Sequence, residues 1–464
     1  TSPGDVVIGP FSGDWYDATQ LYRKWAITAP WAAKGPIHAR SDVPNWLKNA
    51  TYWTVGNMGG VTGINHEMEK HEFLGSGGIF HAYGYYHNLG DKIYPEVFPP
   101  KIGSEGFKNT VDEFHKKGIR VVTYINGSCW DETTESYQKL SEDQKKRGRT
   151  DTYGGGVWLA GMSPCEKLWQ DKLAEVCSHG VAKYGIDGWY IDFLTNHTGD
   201  CFKTDHGHPI AGGNHWTKSV RDIYGRLRRE IKALNPDGML TAEANVEWVI
   251  DLLDTQLVLS EVQAKAPLYQ AVYHDYGMIF GGSVNNSSPC VQGRWWLMGN
   301  QNGWHNVEGA YAVPPTDFYR TEAKYYLRLL RCHREFGLPY LGYGRMLRMP
   351  RITTAMPVVT HDGPGRNSGQ PVYTVPAVEG SAWQAADGTV GIFFLNYSGE
   401  PQEFTWTMDL GEAAGWGAGD KLRLSQWMEE GGLQAAQEIN GGKLNRSVKM
   451  EGRGILALKL EVIR

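Results

Sequence analysis

The chain reads as an α/β protein: a (β/α)8 TIM barrel with an N-terminal lead-in helix over residues 1–338, then a C-terminal antiparallel β-sandwich over 339–464. Three observations predict this. Short apolar runs alternate with amphipathic helical stretches, the pattern of a parallel sheet. The number of such units favours closure into a barrel over an open sheet. Beyond Pro339 the pattern changes to strand-like segments (VYTVPAV, GIFFLNY, EFTWTMDL, ILALKLEV) parted by Gly- and Asp-rich turns, as in a sandwich.

Taken in order, residues 14–27 form an amphipathic helix leading into the barrel. Strands are expected at Thr51–Val55, Gly78–Tyr85, Ile119–Ile125, Gly188–Phe193, Met239–Ala242, Leu257–Ser260, Gln270–His274 and Trp295–Met298. Ser104 is placed to cap a helix with Phe107, Val111 and Phe114 on one face. Ser163-Pro164-Cys165-Glu166 has the form of a capping box opening a helix with Leu168, Leu173, Val176 and Cys177 inward. A later helix buries Val220, Ile223, Leu227, Ile231 and Leu234, and 316–336 predicts one more; 411–418 is expected to be a loop.

The composition narrows the function. Hydrophobic residues are 41% and charged residues 21%, enough for a sizeable core. A net charge of −5 provides no basic field, which argues against nucleic acid and anionic membrane surfaces as partners. No apolar run reaches the roughly 20 residues of a membrane span. Six scattered cysteines form no CxxC and leave the redox compartment open. The chain begins Thr-Ser-Pro rather than Met, which suggests that a leader or upstream domain was removed. The 18 Trp and 24 Tyr often neighbour Gly, Asn, Asp or His, and that pairing of flat aromatics with polar groups suits a sugar, pointing to a glycoside or oligosaccharide substrate.

Barrel enzymes hold their chemistry at the C-terminal ends of strands. Asp192 ends strand four (GIDGWYID), Glu243 ends strand five (LTAE) and Asp275 ends the expected strand seven (VYHD). Two carboxyls at neighbouring strand ends can supply the nucleophile and the proton donor of glycoside hydrolysis with retention. Asp187 falls at the opposite end of strand four and is read as structural, while Glu247 and Glu261 are rival acids. Tyr83, Tyr85, Asn126, Trp130 and Tyr190 are candidate substrate contacts, as are His206 and His208 in the loop after Asp192. That loop also holds His197, Cys201 and Asp205, but its spacing matches no zinc pattern, so neither metal nor cofactor is expected.

The GIDGWYID segment resembles the strand-four motif of glycoside hydrolase family 13, the α-amylase family, and of the related endo-α-N-acetylgalactosaminidases. The resemblance covers residues 185–276 and implies an enzyme of α-linked glycosides with Asp192 as nucleophile, Glu243 as acid/base and a His274-Asp275 pair ending strand seven, Asp275 in the catalytic centre and His274 a substrate contact. The α-amylase pattern has Arg two residues before the nucleophile, where this chain has Tyr190. The whole chain is similar to bacterial glycoside hydrolases grouped as a domain of unknown function. Three other readings stand beside this one: an α-galactosidase-clan enzyme with an Asp acid from strand six, a transglycosylase, and a catalytically inactive carbohydrate-binding barrel.

Overall fold

The computed structural model describes residues 7–87, 93–145, 149–153, 157–196, 201–258, 266–281, 284–285, 289–306, 317–361 and 373–463. Eight parallel strands form the barrel: β1 Tyr52–Asn57, β2 Gly78–Tyr83, β3 Arg120–Asn126, β4 Gly188–Asp192, β5 Met239–Glu243, β6 Thr255–Val258, β7 Met278–Gly281 and β8 Gln301–Asn306. They pair in chain order, and β8 pairs back onto β1 with Tyr52 opposite Asn302, so the sheet closes. Every residue of β4 is buried, as a strand covered by helices outside and side chains inside requires.

The lead-in helix α1, Trp15–Ala26, starts from a capping box in which Asp14 and Asp17 satisfy each other's backbone N–H groups. The expected caps downstream are not formed. The helix Ser104–Lys116 begins after Gly103, and Ser104 Oγ instead lies 3.0 Å from the phenolic oxygen of Tyr184. The helix Lys167–Tyr184 starts at Glu166, while Ser163 Oγ accepts from Cys165 N at 3.3 Å in a local turn. A short hydroxyl side chain serves either arrangement, so the motif alone does not select the cap.

Strands seven and eight are corrected. Residues Leu268–Tyr273 are helical behind Pro267, and Pro289–Leu297 are helical from Pro289; the true strands lie just downstream. Both segments are short apolar runs, whose type periodicity cannot decide, and a proline at a helix start tips the balance. The long helix spans Asp317–Cys332 and continues as a wider turn through Gly342, and Leu410–Ala414, expected in a loop, is a short helix.

The C-terminal part contains a six-stranded and a three-stranded antiparallel sheet. Phe394, Phe404, Trp406, Leu422 and Leu458 pack in their common core, the arrangement of a β-sandwich. His274 joins this part to the barrel: its ring nitrogens lie 2.7 Å from the carbonyl oxygens of Gly299 and Gly344, and Trp383 packs on the ring at 4.4 Å. Among the described residues no helix is long and apolar enough to cross a membrane.

Candidate active site

The register of three adjoining strands assembles the site. Asn126 on β3 stands opposite Asp192 on β4, and Ile191 on β4 stands opposite Ala242 on β5, so Asn126, Asp192 and Glu243 share the C-terminal rim. Strand alternation turns residues two positions back into the same interior, which places Tyr124 below Asn126 and Tyr190 below Asp192.

Asp192 is buried and receives three donors. Tyr124 donates to Oδ2 at 2.9 Å, the Phe193 amide donates to Oδ1 at 3.0 Å, and Tyr190 donates to Oδ1 at 3.4 Å. Burial and a hydrogen bond with the Glu243 carboxyl hold Asp192 well above the usual carboxylate range, against the pull of Tyr124 and Phe193. Glu243 is half-buried; its Oε2 accepts from Asn196 Nδ2 and its backbone carbonyl from Thr195 Oγ1.

The residue after each acid has left-handed backbone geometry, Phe193 with φ 63° and Ala244 with φ 66°. Such a conformation costs a non-glycine residue roughly 1–2 kcal/mol, and strain of this kind gathers at functional sites. Gly127 permits close approach on the other flank: its N–H donates to the Asp192 carbonyl at 2.9 Å, and a Cβ there would lie 2.6 Å from Ile191 Cγ2.

Aromatic rings floor the site. Tyr83, half-buried, stacks on Tyr124 at 4.4 Å, and His81 lies 4.8 Å from Tyr83 and 4.6 Å from Tyr190. Burial pushes His81 down to about 3, so its imidazole is neutral. The sequence reading missed Tyr124 and His81, although each lies two residues before a candidate on the same strand. It also missed Asn196, for which no periodic signal exists in a loop.

Other expected contacts lie elsewhere. Tyr85 is buried with its hydroxyl on the Tyr124 carbonyl at 2.8 Å. Trp130 is buried against Trp169 with its Nε1–H on Thr134 and Ser136. Asp275 precedes β7, at the opposite end of the barrel from the Asp192 rim, and takes a two-pronged ion pair from Arg23 of α1 at 2.6 and 2.8 Å. The misassigned strand seven is the reason: the segment before Asp275 is helical, so the acid starts a strand instead of ending one. With His274 held between two carbonyls, the His-Asp pair implied by the resemblance lies away from the Asp192 rim.

His206 Nε2 lies 2.8 Å from Glu166 and its Nδ1 3.2 Å from Cys201 Sγ, while His208 stacks on His215 at 4.0 Å. Both rings are thus engaged by partners other than Asp192 and Glu243. Of the rivals, Glu247 accepts from Tyr22 and Tyr273, and Glu261 lies outside the described residues. Asp187 accepts from the Val121 amide at 2.8 Å and pairs with Arg120 at the barrel's N-terminal end. Strand β6 itself carries no acid, and Asp254 before it is buried in a pair with Arg228.

A Bacteroides thetaiotaomicron protein named "Putative glycoside hydrolase" is 27% identical over 426 residues, 87% of this chain and 60% of that protein. A Monosiga brevicollis protein, "Putative glycoside hydrolase 22789", is 26% identical over 419 residues, 75% of this chain and 34% of its own length. The chain thus spans less than two thirds of either relative. Among solved structures, a cyclomaltodextrinase aligns with TM-score 0.59 at 12% identity, covering 90% of this chain and 79% of its own. An α-N-acetylgalactosaminidase of Bifidobacterium bifidum aligns with TM-score 0.56 at 14% identity, covering 82% and 62%. At such identities the likeness is one of fold. A family model described as a domain of unknown function, DUF6259, matches residues 1–284, more than half of the chain, and the protein belongs to that family.

Proposed function

We propose that this protein is a retaining glycoside hydrolase acting on an α-linked glycoside, with Asp192 as nucleophile and Glu243 as acid/base. The observation that carries the reading is the buried Asp192 carboxylate, held by Tyr124 and the Phe193 amide, with Glu243 at the end of the adjoining strand. The names of the two relatives support the class of activity. The α-linkage rests on the strand-four motif.

The Asp192–Glu243 pair enters the reaction with one proton. With that proton on Glu243, the Asp192 carboxylate keeps its three donors and attacks the anomeric carbon as Glu243 protonates the departing glycosidic oxygen. The glycosidic C–O bond breaks and an ester to Asp192 forms. Glu243, now ionised, takes a proton from the water that displaces Asp192, so the configuration is restored. Tyr83 supplies an aromatic face at the mouth, and no cofactor takes part in the scheme.

An anomer-resolved NMR time course on an aryl α-glycoside found by a substrate screen tests this. The first product should keep its starting configuration, and a fluorosugar inactivator should label Asp192. An inverted first product, or a label on another residue, overturns the assignment.

A further inference from the structure

The loop after β4 folds back on the segment just before the helix Lys167–Tyr184, and the two bring together side chains far apart in sequence. One ring nitrogen each from His206 and His208 and the sulfur of Cys165 all lie within 4.8 Å of one another. Spacing within the loop could not show this, because Cys165 comes from the connection after the preceding strand.

We propose that Cys165, His206 and His208 bind a borderline-soft divalent transition-metal ion, of the Zn2+ class, that ties the third and fourth barrel loops together. The tautomers are set for it. His208 Nδ1 is held by the Pro209 carbonyl at 2.8 Å, which leaves Nε2, a buried atom with no hydrogen-bond partner, as the lone-pair nitrogen. His206 Nε2 is held by Glu166 at 2.8 Å, the carboxylate–imidazole contact that typically orients a ligating histidine, and its Nδ1 faces Cys201 Sγ at 3.2 Å. Cys165 Sγ lies 3.1 Å from Ser219 Oγ, a donor able to steady a thiolate.

Two imidazoles and a thiolate suit Zn2+ and its neighbours better than Ca2+ or Mg2+, which select oxygen ligands. Zn–S bonds of about 2.3 Å and Zn–N bonds of about 2.0 Å set tetrahedral ligands roughly 3.5 Å apart. The group therefore needs side-chain rotation, not a new backbone path, and water completes the fourth position. The Lys203 ammonium nearby is paired with Glu166, which offsets its charge. The same loop begins with Thr195 and Asn196, the partners of Glu243, so an ion here would stiffen the segment that positions the acid/base.

Co2+ titration of the intact, chelator-treated protein tests the site without reference to activity. We expect one ion per chain, a thiolate-to-cobalt charge-transfer band, and competition by Zn2+. Cys165→Ser should abolish the band and His208→Ala should weaken binding at least tenfold. Glu166→Gln should weaken it roughly 10–100-fold through the orienting contact. Circular dichroism of the metal-free proteins checks that each variant folds, and Glu166→Gln keeps the test decisive where a ligand variant does not. Absence of stoichiometric binding, or a charge-transfer band that persists unchanged in folded Cys165→Ser, overturns the proposal.

Discussion

Tyr124→Phe removes one oxygen from beneath Asp192 and leaves the ring that stacks on Tyr83. The lost contact is a 2.9 Å hydrogen bond to a buried carboxylate. Hydrogen bonds to charged groups contribute about 1.5–3 kcal/mol, and 1.36 kcal/mol corresponds to about one pKa unit. Two donors remain, the Phe193 amide at 3.0 Å and the more distant Tyr190 hydroxyl at 3.4 Å, so the lower end of that range applies. The sign follows from which form the bond favours. Tyr124 stabilises the ionised acid, so its loss raises the Asp192 pKa further, by about 1 unit. Because the nucleophile acts ionised, the acidic limb of kcat/KM should move to higher pH by that amount. The assay is a pH profile with an activated aryl α-glycoside, whose leaving group needs no proton from Glu243. A limb that stays in place, or moves to lower pH, refutes the role given to Tyr124 and with it Asp192 as the ionised group.

Glu243→Gln should slow glycosides with poor leaving groups by roughly 10²–10⁴-fold and activated ones far less; equal losses across a leaving-group series would exclude the acid role. Asp192→Asn should reduce kcat by about 10⁴-fold or more while raising the melting temperature at neutral pH. The folded pKa of Asp192 lies above its unfolded value, so its contribution is favourable below the unfolded pKa of about 3.9 and is lost as pH rises through the folded pKa; a variant that melts lower at pH 7 contradicts the shift. Asp275→Asn should leave kcat/KM nearly unchanged and cost roughly 2–3 kcal/mol in denaturant unfolding by breaking the pair with Arg23, whose side chains are only 10% and 14% exposed. Loss of activity in a folded Asp275→Asn protein would restore that residue to the site. Gly127→Ala should impair catalysis by pressing on the Asp192 strand end, measured as a fall in kcat with the far-ultraviolet spectrum preserved.

The barrel class, strands β1 to β5 to within two residues, and the placement of Asp192 and Glu243 at adjoining strand ends are legible in the amino-acid order alone. Those features follow from local rules: a buried parallel strand needs an unbroken apolar run, and an acid at its end is visible as the residue where that run stops. Tertiary structure decided the rest. Whether 268–273 and 289–297 became helix or strand depended on what they pack against, and that outcome put Asp275 at the opposite end of the barrel from the Asp192 rim. Asn196 against Glu243, and Cys165 beside His206 and His208, are meetings between separate loops. No periodicity encodes such contacts, because loop geometry is set by which strand ends the barrel closure brings together, and closure is a property of all eight strands at once.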